Sequence, residues 1–175
     1  PNDLEAKALF VCRRWQFNRK GIPITSYVGM DAILEQIFAK NPAHPAHHYA
    51  IHLWDYRNSE QALDSAARLG STAPGIAHLW HMPGHIYSKA KRYQDAVWQQ
   101  QASARIDHAH MQKWFLLPDQ IHNYAHNNEW LSRNFSHLGS VRASIDMAKA
   151  LLANPRHPTL NNPGKGSARY GRKAL

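Results

Sequence analysis

A chain of 175 residues, 43% of them hydrophobic, is long enough to bury a core and too apolar for a disordered or fibrous protein. Its formal charge of +9 overstates how basic the body is, because Lys165, Arg169, Arg172 and Lys173 crowd into the tail; no dense Lys/Arg face with interleaved aromatics occurs elsewhere, and a nucleic-acid partner is not expected. The lone Cys12 excludes an internal disulfide, a CxxC pair and a cysteine zinc knuckle, so any metal must be held by imidazole and carboxylate, and no apolar run approaches the roughly 18 residues of a membrane span.

From Asp3 to about Asn18, Leu4, Ala8, Val11 and Trp15 recur at helical spacing, with Asn2 or Asp3 as the cap. A second helix is predicted from Ser26 to Ala39, closed by Asn41-Pro42. Two more follow, at about His44 to Tyr56 and Ser59 to Leu69, the latter with Gly70 as its C-cap. The pattern then recurs at Ile76 to Lys89 and Tyr93 to Asp107. Laying His44 on His78, His47 on His81 and Ala62 on Ala96 uses a single offset of 34 residues, the length of a tetratricopeptide repeat. A third pair is predicted at Asp119 to Phe135 and Ser140 to Ala153, after an insertion containing Trp114-Phe115-Leu116-Leu117-Pro118. No segment alternates as a strand would. The expected fold is all-α: a tetratricopeptide-like solenoid of about four helical hairpins over residues 1–154, with 155–175 as an extended basic tail or linker.

The histidines carry the functional signal. Seven of the thirteen fall between His44 and Tyr87, although histidine lowers helix stability and is awkward to bury. Residues at i and i+4 share a helix face, so two histidines at that spacing can chelate one ion. Three helices carry such a pair: His48 with His52, His81 with His85, and His122 with His126. Asp55 and Glu129 follow two of them three residues later. Each pair lies on the first helix of its hairpin, and in a solenoid these helices line the concave face. The three pairs are thus expected to converge, with His44 and His78 extending the stripes and Asp107, His108 and His110 closing the site from another helix. The alternative for each ring is a packing or capping role, since imidazole both donates and accepts hydrogen bonds.

Pro83 between His81 and His85 either bends a helix, freeing the carbonyl of Leu79, or starts one. No HExxH occurs, because Tyr49, Met82 and Asn123 stand where the metalloprotease base would. Asp119-x-x-His122 has the carboxylate-x-x-His form of di-iron bundles, but in one copy only. Neither GxSxG nor a phosphate-cradling loop is present. Cys12 reads as a buried small hydrophobe.

The segments HPAHHYAIHLWD, AHLWHMPGHIY and IHNYAHNNEWL resemble a bacterial group of tetratricopeptide-like proteins marked by HYxIH and HMPxHIY signatures, some of which pair this module with a thioredoxin-like domain in exported proteins. The likeness spans about Asp3 to Pro158. It implies the helical-repeat fold and the equivalence of His48, His52, His81, His85 and His126.

The leading expectation is a groove that binds a divalent transition metal (zinc, iron or copper), with His48, His52, His81 and His85 as first ligands and Asp55, His122 and His126 as further ligands or orienting groups. With an open coordination position it becomes a metal-dependent hydrolase or oxidase. Without metal, the groove is a scaffold for a peptide or protein partner. Pro1 in place of an initiating methionine predicts a processed product or a piece of a longer chain, whose other domains are then partners and whose compartment, exported or cytoplasmic, stays open.

Overall fold

The computed structural model describes residues 2–159 and 167–174, and among these it contains helices and no strand. Helix α1 spans Leu4–Asn18, capped by Asp3, whose Oδ1 accepts from the Ala6 N–H at 3.1 Å. Helix α2 spans Tyr27–Phe38 and is capped by Ser26, whose Oγ accepts from the Gly29 N–H at 3.0 Å. Both caps satisfy amide donors that helix starts leave open. Helix α3 is His47–Trp54; a 3-10 turn at Ser59–Ala62 leads into α4, Leu63–Thr72.

Gly70 is not a C-cap, as expected from its sequence, but an interior residue of α4. The indole of Trp80 lies on it so closely that a Cβ would fall 2.5 Å from Trp80 Cε3. Glycine here supplies room for a ring rather than a left-handed turn.

Helix α5 spans Ala77–Lys89 and runs through Pro83, so that proline lies inside the helix rather than at its start and the Leu79 carbonyl loses its usual donor. Helix α6, Tyr93–Trp114, continues seven residues past the expected Asp107, since nothing in AHMQKW breaks a helix; Phe115 ends it in the left-handed region at φ 53°. A 3-10 turn at Pro118–Gln120 precedes α7, His122–His137, and α8 is Val141–Ala153.

The tail is not extended throughout. Residues 167–174 form helix α9, Ser167–Ala174, packed on α8 and α7. Its Pro, Gly and charge suggested an extended tail or linker, yet Ala168 and Gly171 are buried and Lys173 reaches the buried Glu129 at 2.9 Å.

Each helix packs on its sequence neighbours, and α1 also touches α3, α3 touches α5, α5 touches α7, and α7 touches α9. Two apolar clusters fill the first part of the stack. Val11, Leu34, Ile37 and Leu53 join α1, α2 and α3; Ile51, Leu69, Met82 and Ile86 join α3, α4 and α5. Helix α5 is buried along most of its length, and this carries its histidines into the interior.

Candidate metal centre

Helices α3, α5 and α7 bring six imidazoles together as two groups of three. In one, the ligand nitrogens of His81, His85 and His126 lie within 4.8 Å of one another; in the other, so do those of His48, His52 and His78. Two imidazole nitrogens on a tetrahedral ion, at the usual ~2.0–2.1 Å bond length, stand about 3.4 Å apart. Closure of either group onto an ion therefore requires small ring movements.

The ring orientations are fixed from behind by asparagines of α7. His81 Nδ1–H donates to Asn127 Oδ1 at 3.0 Å, and Asn127 Nδ2 donates to the Gln100 carbonyl of α6 at 2.8 Å. His78 Nδ1–H donates to Asn123 Oδ1 at 3.2 Å, and Asn123 Nδ2 donates to Asp107 Oδ2 of α6 at 2.6 Å. In each case the acceptor on α6 decides which end of the amide faces the ring. The proton is thereby placed on Nδ1 and the Nε2 lone pair of His78 and of His81 is left for another partner. A third amide repeats the pattern away from the rings: Asn134 accepts from Ser88 Oγ at 2.8 Å and donates to Gln100 Oε1 at 2.9 Å.

His85 Nε2 lies 2.8 Å from His81 Nε2. Because His81 already donates through Nδ1, His85 must hold the proton between them. A cation bound at His85 Nε2 would leave that single proton on Nδ1 instead, which is buried without a hydrogen-bond partner and 3.9 Å from Asp55 Oδ2. His126 Nδ1 likewise stands 3.7 Å from Glu129 Oε2 without a bond to it. Carboxylates behind ligating imidazoles are the usual orienting groups of a metal site.

Two tryptophans fix the outer rings. Trp15 stacks on His52 at 4.1 Å between centroids, and Trp130 lies against His85 at 4.2 Å. The site opens into a cavity of about 800 Å³ that Trp15, Tyr27, Arg19 and Arg57 also line.

Burial keeps these rings neutral. It pushes His48 down to about 4, aided by His78, and pushes His52 and His85 to about 3, aided by neighbouring imidazoles. His81 is driven well below its ordinary value by complete burial, and His78 is lowered for the same reason against the opposing pull of its bond to Asn123. Neutral imidazole is the form that binds a metal. Glu129 is different: burial raises it, but His126, Lys173 and Arg133 together outweigh that, and its carboxyl lies below the ordinary value.

Of the seven residues singled out from the sequence, His48, His52, His81, His85 and His126 belong to the two groups. Asp55 instead accepts two bonds from Lys89 Nζ, through its carbonyl and Oδ1, both at 2.7 Å. His122 stacks on His126 at 5.6 Å and lines the cavity outside either group. His44 is held by Glu5 Oε1 at 3.0 Å and by the Ala46 N–H, so it does not extend the stripe, whereas His78 does. His47 bonds Ser65 Oγ and the Pro42 carbonyl and stacks on Phe38. His108 and His110 are exposed; only Asp107 reaches the site, through Asn123.

Asn123 and Asn127 were not foreseen as site residues. Their signal is the i, i+4 spacing inside HNYAHNNEW, in register with His122 and His126 but one position later.

Compared with protein-family models, with curated proteins and with solved structures, the chain gives no match.

Proposed function

We propose that the protein is a helical-repeat module, a tetratricopeptide-like solenoid of about four hairpins, whose inner face binds a divalent transition metal (zinc, iron or copper) through His81, His85 and His126. The solenoid reading is supported by the succession of contacts between α1 and α3, α3 and α5, α5 and α7, and α7 and α9. The metal reading rests on one observation: His81 and His85 aim Nε2 atoms at each other across 2.8 Å while Asn127 holds the His81 proton on the far side of its ring. Packing would leave His81 equally satisfied, but it leaves His85 Nδ1 buried without a hydrogen-bond partner 3.9 Å from Asp55 Oδ2, where a metal-bound ring would carry its proton.

Three neutral nitrogen donors leave a tetrahedral ion one open position. The adjoining cavity of about 800 Å³ favours a catalytic use over a closed structural site, with metal-bound water as nucleophile in a hydrolase or a redox ion in an oxidase. The test is elemental analysis of untagged protein together with thermal unfolding. At least one ion per chain is expected, and added zinc should raise the melting temperature of the natural chain but not of the double variant His81→Ala/His85→Ala. A metal content near zero after attempted reconstitution overturns the reading.

A further inference from the structure

We propose that the histidine cluster holds two metal ions, the second bound by His48, His52 and His78 beside the cavity. This rests on the metal reading of the first group and extends it.

The two groups are built by the same device. His78 and His81 stand one turn apart on α5, Asn123 and Asn127 stand one turn apart on α7, and each asparagine accepts a hydrogen bond from the Nδ1–H of its histidine while being held by α6. A single ion gives a use to the orientation that Asn127 imposes on His81, and a second gives the same use to the orientation that Asn123, tied to Asp107 and Ser103, imposes on His78. The second group also contains a buried nitrogen, His48 Nε2, with no hydrogen-bond partner among the described residues. Such an atom is costly in a folded protein unless it has a ligand. Its ring is 4.6 Å from that of His52 and 5.0 Å from that of His78. Trp15 keeps His52 from turning outward.

Packing alone places such rings differently in this same chain. His47 and His44 are buried, more deeply than the residues of this group, and each has both nitrogens bonded, to Ser65 and Pro42 in one case and to Glu5 and Ala46 in the other. The His48 group lacks that satisfaction.

The groups are neighbours, with the rings of His78 and His81 5.8 Å apart between centroids, so the two ions share one space. Each has three imidazoles and an open position. Donors of nitrogen only select borderline first-row ions, zinc or copper, over calcium or magnesium.

The test uses the full chain without a tag, stripped by chelator and titrated with Cu(II), with bound metal counted after dialysis and spin followed by electron paramagnetic resonance. The natural chain should bind two ions, and the signal of the fully loaded form should be broadened by the paired spins. His48→Gln/His52→Gln should bind one ion with an unbroadened signal, and Asn123→Ala should weaken the second equivalent alone by roughly 10–100-fold. Thermal unfolding of the metal-free variants checks that they are folded. One ion per chain, lost in His81→Ala/His85→Ala and kept in His48→Gln/His52→Gln, overturns the pair and leaves the first site standing. No bound ion at all overturns both.

Discussion

At the residue scale, the chemistry of the site depends on which nitrogen of each ring carries the proton. Asn127 settles this for His81 because its own amide is pinned to the Gln100 carbonyl. Asn127→Ala should therefore weaken metal binding by roughly 10–100-fold, the range typical of groups that orient ligands. It should also destabilise the metal-free fold by about 1–3 kcal/mol, since the buried carbonyl loses its donor. Competition with a chelator of known affinity and denaturant unfolding measure the two effects separately. The sequence shows the histidines but hides this layer, because asparagine reads as a cap or turn residue unless its partners are known. It hides the opposite case as well. The 34-residue offset equates His44 with His78 and His47 with His81, yet the first of each pair is tied to Glu5 or to Ser65 and Pro42. A repeat length indicates the turn on which a residue falls, not the face it presents.

At the element scale, α5 is the rod on which both groups are mounted, and its distance from α6 is set at Gly84. A Cβ there would stand 2.7 Å from Gln100 Cγ, and the Gln100 side chain is fully buried with its Oε1 held by Asn134. The side chain has nowhere to retreat. Gly84→Ala should destabilise by about 1–2 kcal/mol, overpacking outweighing the gain in helix propensity. Gly75→Ala, with nothing within 4 Å, serves as the control and should be near neutral in chemical denaturation. Helix identity was legible in the amphipathic spacing and in Asp3, one of two cap candidates, whereas Ser26, read as the first residue of its helix, turns out to be its cap. Ends were less so: α6 outran its expected end because no breaker precedes Phe115, and α9 was concealed by its charges, one of which serves Glu129 from outside.

At the scale of the whole molecule, five imidazoles of the site are held below their ordinary value by burial: His48, His52, His78, His81 and His85. An unfolded chain takes up protons on them near pH 6.5, while the folded chain does not. Stability of the metal-free protein is thus fully present above that pH and is lost as pH falls from about 6.5 to about 4 for His48 and about 3 for His52 and His85, each fully neutral ring contributing a slope of about 1.4 kcal/mol per pH unit. The melting temperature of metal-free protein should fall steeply between pH 6.5 and 4.5, and a flat profile there would show that the rings are accessible to protons in the folded state. Replacing His81 and His85 by neutral residues should shallow the slope. The convergence of α3, α5 and α7 was legible from the three HxxxH pairs. Their division into two groups was not, because it depends on how far α5 sits between its neighbours.

The central claim is that His81, His85 and His126 close on one cation. An anomalous difference map, recorded at the absorption edge of zinc on crystals of reconstituted protein, locates the ion directly. The account predicts a peak about 2.0–2.1 Å from the Nε2 atoms of His81 and His85. A fully reconstituted crystal with no peak among these three rings, or with zinc only at surface histidines such as His108 and His110, would contradict it.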